Sequence, residues 1–78
     1  VKKSDIKFGG TYYGTTLGVH LTVTELGHGK VTYITTAAPK HRQGIVGKGG
    51  EIDLSEFCER VTSEVPAKFL THNLEKLH

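Results

Sequence analysis

Apolar and polar positions alternate most regularly between Gly18 and Thr36, GVHLTVTELGHGKVTYITT. Val19, Leu21 and Val23 take turns with His20, Thr22 and Thr24. Beyond Gly27-His28-Gly29, Val31, Tyr33 and Thr35 take turns with Lys30, Thr32 and Ile34. A period of two sends successive side chains to opposite faces of a strand, so this stretch predicts an antiparallel hairpin with one apolar face. Two registers are open. A three-residue Gly-His-Gly loop sets Val23 opposite Tyr33 and Leu21 opposite Thr35, whereas a two-residue His-Gly turn sets Val23 opposite Ile34. The longer loop is favoured, because a glycine readily takes the left-handed position it needs.

Ahead of the hairpin, Ile6 and Phe8 alternate, Gly9-Gly10 interrupts, and Thr11-Tyr12-Tyr13 resumes. This predicts a strand over about 6–13 that is broken or bulged at its glycines. With strands at about 17–26 and 30–37 it makes a meander. Residues 38–50 then form a basic, glycine-rich loop in which Ile45-Val46 is expected to pair briefly as a fourth strand, with Ile52 in a fifth. From Asp53 to Val65 the period lengthens: Leu54, Phe57, Cys58 and Val61 follow the i, i+3, i+4, i+7 spacing of an amphipathic helix. Asp53 is placed to cap its first turn, with Glu56 completing an acidic capping box. Pro66 suits the first turn of a second helix, striped by Leu70, Leu74 and Leu77 with Phe69 beside them, so the helical part runs over about 53–77. The pattern as a whole predicts a single α+β, mostly β domain over residues 1–78. Its expected form is a small SH3-like barrel or strand meander with one or two C-terminal helices.

Seventy-eight residues, 36% of them hydrophobic and 23% charged, suffice for one folded core and leave little room for a deep catalytic cleft. A non-enzymatic binding module is therefore the expectation. The single cysteine, Cys58, cannot form an intramolecular disulfide, which points to the reducing cytoplasm. It also lies on the helix's apolar stripe, where a cysteine behaves as a small core residue rather than a nucleophile. The N-terminal lysines have no apolar run behind them, so no secretory leader is expected. No window approaches the length of a membrane span. A first residue other than methionine is expected of a processed or trimmed chain.

Net charge is only +2, but its distribution is uneven. Lys30, Lys40, Arg42 and Lys48 form a segment without acids, while Glu51, Asp53, Glu56, Glu59 and Glu64 are accompanied only by Arg60. A basic loop thus precedes an acidic helix face. His20, His28, His41, His72 and His78 are scattered without HxxxH or CxxC spacing, so neither a metal site nor a cofactor is expected.

Two resemblances bear on function. Phe8-Gly9-Gly10-Thr11-Tyr12, Val31-Thr32-Tyr33 and Ile52-Asp53-Leu54-Ser55-Glu56-Phe57 resemble, over about residues 6–61, short uncharacterised SH3-like barrel proteins of phages and prophages. That likeness implies a phage or mobile-element origin. Gly47-Lys48-Gly49-Gly50 is similar to the GXXG loop of KH domains, which clamps single-stranded nucleic acid. Here a single residue, Glu51, separates the last glycine from Ile52, where that family usually has two, and Pro39 to Val46 makes a poor preceding helix. Glycines let the main chain approach phosphates while lysine adds charge. Lys40, Arg42, Gly47, Lys48, Gly49 and Gly50 are accordingly the candidate nucleic-acid-binding residues. The alternative is an adaptor or inhibitor that docks on a host or partner protein through a barrel edge or the acidic helix face.

Overall fold

The computed structural model describes residues 2–66. Five strands, β1 (Thr11–Gly14), β2 (His20–Gly27), β3 (Lys30–Ala37), β4 (Gly49–Asp53) and β5 (Val61–Glu64), form one antiparallel sheet in the order β4-β3-β2-β1-β5. A seven-residue helix, α1 (Leu54–Arg60), links β4 to β5. The sheet curls without closing, since β4 and β5 are its two edges.

The predicted hairpin is present, and its turn corrects the expected loop. Gly27 pairs with Lys30, so the connection is the two-residue turn His28-Gly29, with positive φ at both positions (55° and 72°). That is the type I′ geometry, whose twist matches the strands it joins. Val23 nevertheless pairs with Tyr33 and Leu21 with Thr35, because an extra residue, Thr24, bulges between Val23 and Glu25. The bulge keeps Val23 and Leu21 on the face that carries Val31 and Tyr33.

Other boundaries move for identifiable reasons. The expected strand over about 6–13 begins only at Thr11, because Lys7–Gly10 is a tight turn closed by Gly10 N–H to the Lys7 carbonyl (3.1 Å). Gly9, φ 79°, takes the third position, where a type II turn needs positive φ. Ile45-Val46 is not a strand. Ile45 ends a 3₁₀ segment (Lys40–Ile45) and Val46 is 41% exposed. The fourth strand forms instead around Ile52. The helix stops at Arg60 rather than Val65, since Val61–Glu64 pairs with β1, Gly14 opposite Val61 and Tyr12 opposite Glu64. Helical spacing suits Val61 and Val65, but a helix there would leave the backbone groups of β1 without a partner along that edge. Asp53 does not cap α1 through its side chain; its carboxylate pairs with Lys30 Nζ at 2.7 Å. The second predicted helix lies outside the described residues.

The core gathers Ile6, Tyr12, Val19, Leu21, Val23, Val31, Phe57 and Val61, with Tyr33, Ile45, Ile52, Leu54 and Cys58 packed around it. Phe57 is the plug. It is fully buried between Tyr12, met edge-on at 5.8 Å, and Tyr33 at 5.7 Å. Tyr12 turns its hydroxyl to the N-terminal segment, donating to the Asp5 carbonyl and accepting from Lys7 N–H, both at 2.9 Å. Gly10 makes room for that ring, since a Cβ there would overlap it. The opposite face of the sheet carries hydroxyls. Thr11, Thr22 and Thr36 form a hydrogen-bonded row, 2.9 and 3.0 Å apart, across β1, β2 and β3. No helix among the described residues is long and apolar enough to cross a membrane.

Candidate nucleic-acid interface

The segment between β3 and β4 is tied down along its backbone. Pro39 leads into the 3₁₀ segment, where Arg42 N–H donates to the Pro39 carbonyl (2.8 Å) and the Gln43 amide reaches back to the Ala38 carbonyl. Val46 N–H then bonds to the Gln43 carbonyl (3.1 Å) and Lys48 N–H to that of Ile45 (3.0 Å). At Gly47, φ 90° reverses the chain, a conformation that side-chain-bearing residues avoid. Gly47 N–H donates to the Thr35 carbonyl (2.7 Å), and Thr35 N–H donates to that of Lys48 (2.8 Å). The pairing of β3 with β4 thus extends beyond Gly49.

These bonds assign each glycine its work. Gly47 makes the turn. Gly49 begins β4 opposite Ile34, and a Cβ there would be driven into the Tyr33 carbonyl. Gly50, opposite Tyr33, has open space around it. The amides of Gly47 and Lys48 are already spent within the chain, so a phosphate at this site meets side chains rather than a cradle of free backbone N–H groups.

Those side chains converge on a groove of about 420 Å³ at the open seam of the sheet, between the start of β4 and the end of α1. Val19, Leu21, Tyr33 and Ile45 give it an apolar floor, and the hydroxyl residues Thr15, Thr16 and Thr35 also line it. Arg42, Lys48 and Arg60 are its charged members, and among the described residues no carboxylate lines it. Among the described residues neither Arg42 nor Lys48 is ion-paired, while Arg60 holds Glu56 at 3.2 Å across one helical turn. An exposed pair of that kind contributes about 0.3–0.5 kcal/mol, little enough for an anion to compete with it.

Of the six residues expected from sequence, Arg42, Lys48 and Gly49 line the groove. Lys40 is exposed on the 3₁₀ segment outside it, and Gly47 and Gly50 flank it. Tyr33 lies with them on the floor, and Arg60 joins without having been foreseen. The available signal for Arg60 was its standing as the one cation in an acidic segment. Among the described residues no three of His, Cys, Asp or Glu gather as a metal site would require. No protein-family model matches this chain, and neither a curated protein nor a solved structure matches it.

Proposed function

We propose that this chain is a small, non-enzymatic, SH3-like module that binds single-stranded nucleic acid along the Arg42–Lys48–Arg60 groove. The meander whose last strand returns to its first supports the SH3-like reading, and the half-buried lone thiol of Cys58 suits a cytoplasmic setting. One observation carries the ligand class: Arg42 and Lys48 of the β3–β4 connection and Arg60 at the end of α1 surround a hollow with an apolar floor, and among the described residues no carboxylate lines it. Cations hold phosphates without regard to sequence, and apolar or aromatic floors take up the faces of unpaired bases. A duplex keeps its bases stacked and out of reach of a recessed floor, so the single strand is favoured.

Fluorescence anisotropy with a labelled oligothymidylate and a duplex, at about 50 and about 200 mM salt, tests this reading. The single strand should bind more tightly, and salt should weaken it. Changing Arg42, Lys48 and Arg60 together to Ala should weaken binding and flatten the logarithmic salt slope by about 0.7 per lost phosphate contact, roughly 2 in all. Lys40→Ala, outside the groove, should change much less. A parent protein that binds neither probe, or a folded triple variant that binds as the parent does, overturns the proposal.

A further inference from the structure

A second surface, away from the groove, presents its side chains as a docking site does. Phe8 is 73% exposed, yet it is not loose. It rides on the Lys7–Gly10 turn, which is fastened to β2 by Gly9 N–H to the Val23 carbonyl (3.0 Å) and Val23 N–H to the Gly10 carbonyl (2.9 Å). Lys7 N–H, bonded to the Tyr12 hydroxyl, fixes the turn from the other side. Holding a bare aromatic ring at the tip of a pinned turn gains the fold nothing by burial. It does present an anchor whose position is set before any partner arrives, which lowers the ordering cost of association.

Phe8 and Leu26, itself 38% exposed, line a hollow of about 380 Å³ with Glu25, Thr32 and Glu51. Thr32 pairs with Glu25 on one side and Glu51 on the other. Two strand spacings, roughly 10 Å, therefore separate two carboxylates on the sheet face opposite Val31 and Tyr33. Lys30 reaches the same rim, but its charge is balanced by Asp53 at 2.7 Å, and Lys7 is likewise held by Glu64 at 3.2 Å. Among the described residues Glu25 and Glu51 have no such cation, which leaves the hollow apolar and negative.

We propose that this hollow docks an extended segment of a partner protein in which an apolar side chain lies next to lysine or arginine. Its apolar residue packs on Phe8, and its cations meet Glu25 and Glu51. The same carboxylates repel phosphate, so this surface does not serve the nucleic acid. The two ligands occupy opposite faces and can be held together.

The test selects a displayed library of random short peptides on the intact chain, then follows a synthetic enriched peptide by amide chemical shifts. Enriched peptides should join Leu, Phe or Trp to Lys or Arg, and shifts should centre on Phe8, Leu26, Thr32 and Glu51. Phe8→Ser should weaken that peptide at least about tenfold without altering oligonucleotide binding. Glu25→Lys with Glu51→Lys should select acidic peptides instead. Enrichment no better than on the Phe8→Ser chain, acidic peptides on the parent, or shifts elsewhere would each overturn the proposal. So would a Phe8-dependent dimer in sedimentation, which would give the surface to a second copy.

Discussion

Tyr12→Phe removes one oxygen atom from the centre of the fold and tests how the N-terminal segment is held. The ring stays in place against Phe57, so the change isolates two hydrogen bonds of 2.9 Å, one donated to the Asp5 carbonyl and one accepted from Lys7 N–H. Each is worth about 0.5–1.5 kcal/mol, and a donor left without a partner adds to the loss. The expected destabilisation is therefore about 2–3 kcal/mol. A chain of this size has about 4–12 kcal/mol in all, so the variant should still fold, with its thermal midpoint lowered by about 10–20 °C. Urea denaturation followed by circular dichroism measures the difference directly. The alkaline limb gives a second readout. Burial is the main cause raising the Tyr12 hydroxyl above the ordinary tyrosine value, opposed in part by the bond from Lys7. With the folded value above the unfolded one, the contribution is complete below about pH 10 and drains away as pH climbs through the folded value. The gap between parent and variant should accordingly narrow above pH ~10. A loss smaller than about 0.5 kcal/mol, typical of an ordinary surface change, would show that the hydroxyl does not anchor Asp5 and Lys7.

Gly49→Ala should cost about 3 kcal/mol or more, or prevent folding, because its methyl meets the Tyr33 carbonyl, whereas Gly50→Ala, with open space, should fold normally. Equal urea midpoints for the two variants would contradict the assignment of Gly49 to backbone packing. The hydrogen bond from Lys30 holds the Asp53 carboxyl below the usual carboxylate range, so the pair stabilises the fold above about pH 4 and loses that contribution as pH falls through the lowered value. Lys30→Met should return the Asp53 midpoint, read by carboxyl carbon shifts, to the ordinary range; an unmoved midpoint would disprove the pairing in solution.

The sequence alone determined the parts that rest on short-range periodicity. Alternation between Val19 and Thr35 located β2 and β3, and the change of period after Asp53 located α1 and its buried Phe57. These patterns are legible because a strand or helix that buries one face must repeat along the chain with its own period. The tertiary structure decided everything that depends on a partner far away in sequence. Val61–Glu64 carries a spacing that fits a helix, yet it becomes β5 because the open edge of β1 needs its backbone bonds met. The expected pairing of Val23 with Tyr33 arises from a shorter turn and a bulge at Thr24, two departures that no alternation announces and that offset one another. Gly47-Lys48-Gly49-Gly50 looked like a phosphate loop, but the Gly47 amide is committed to Thr35 on β3, the Lys48 amide to Ile45, and Gly49 packs against the Tyr33 carbonyl. Arg42 and Lys48 line a common groove, which Arg60 joins only once the curled sheet brings the end of α1 beside the start of β4. Charge converges there by closure of the chain upon itself, which leaves no periodic mark in the sequence.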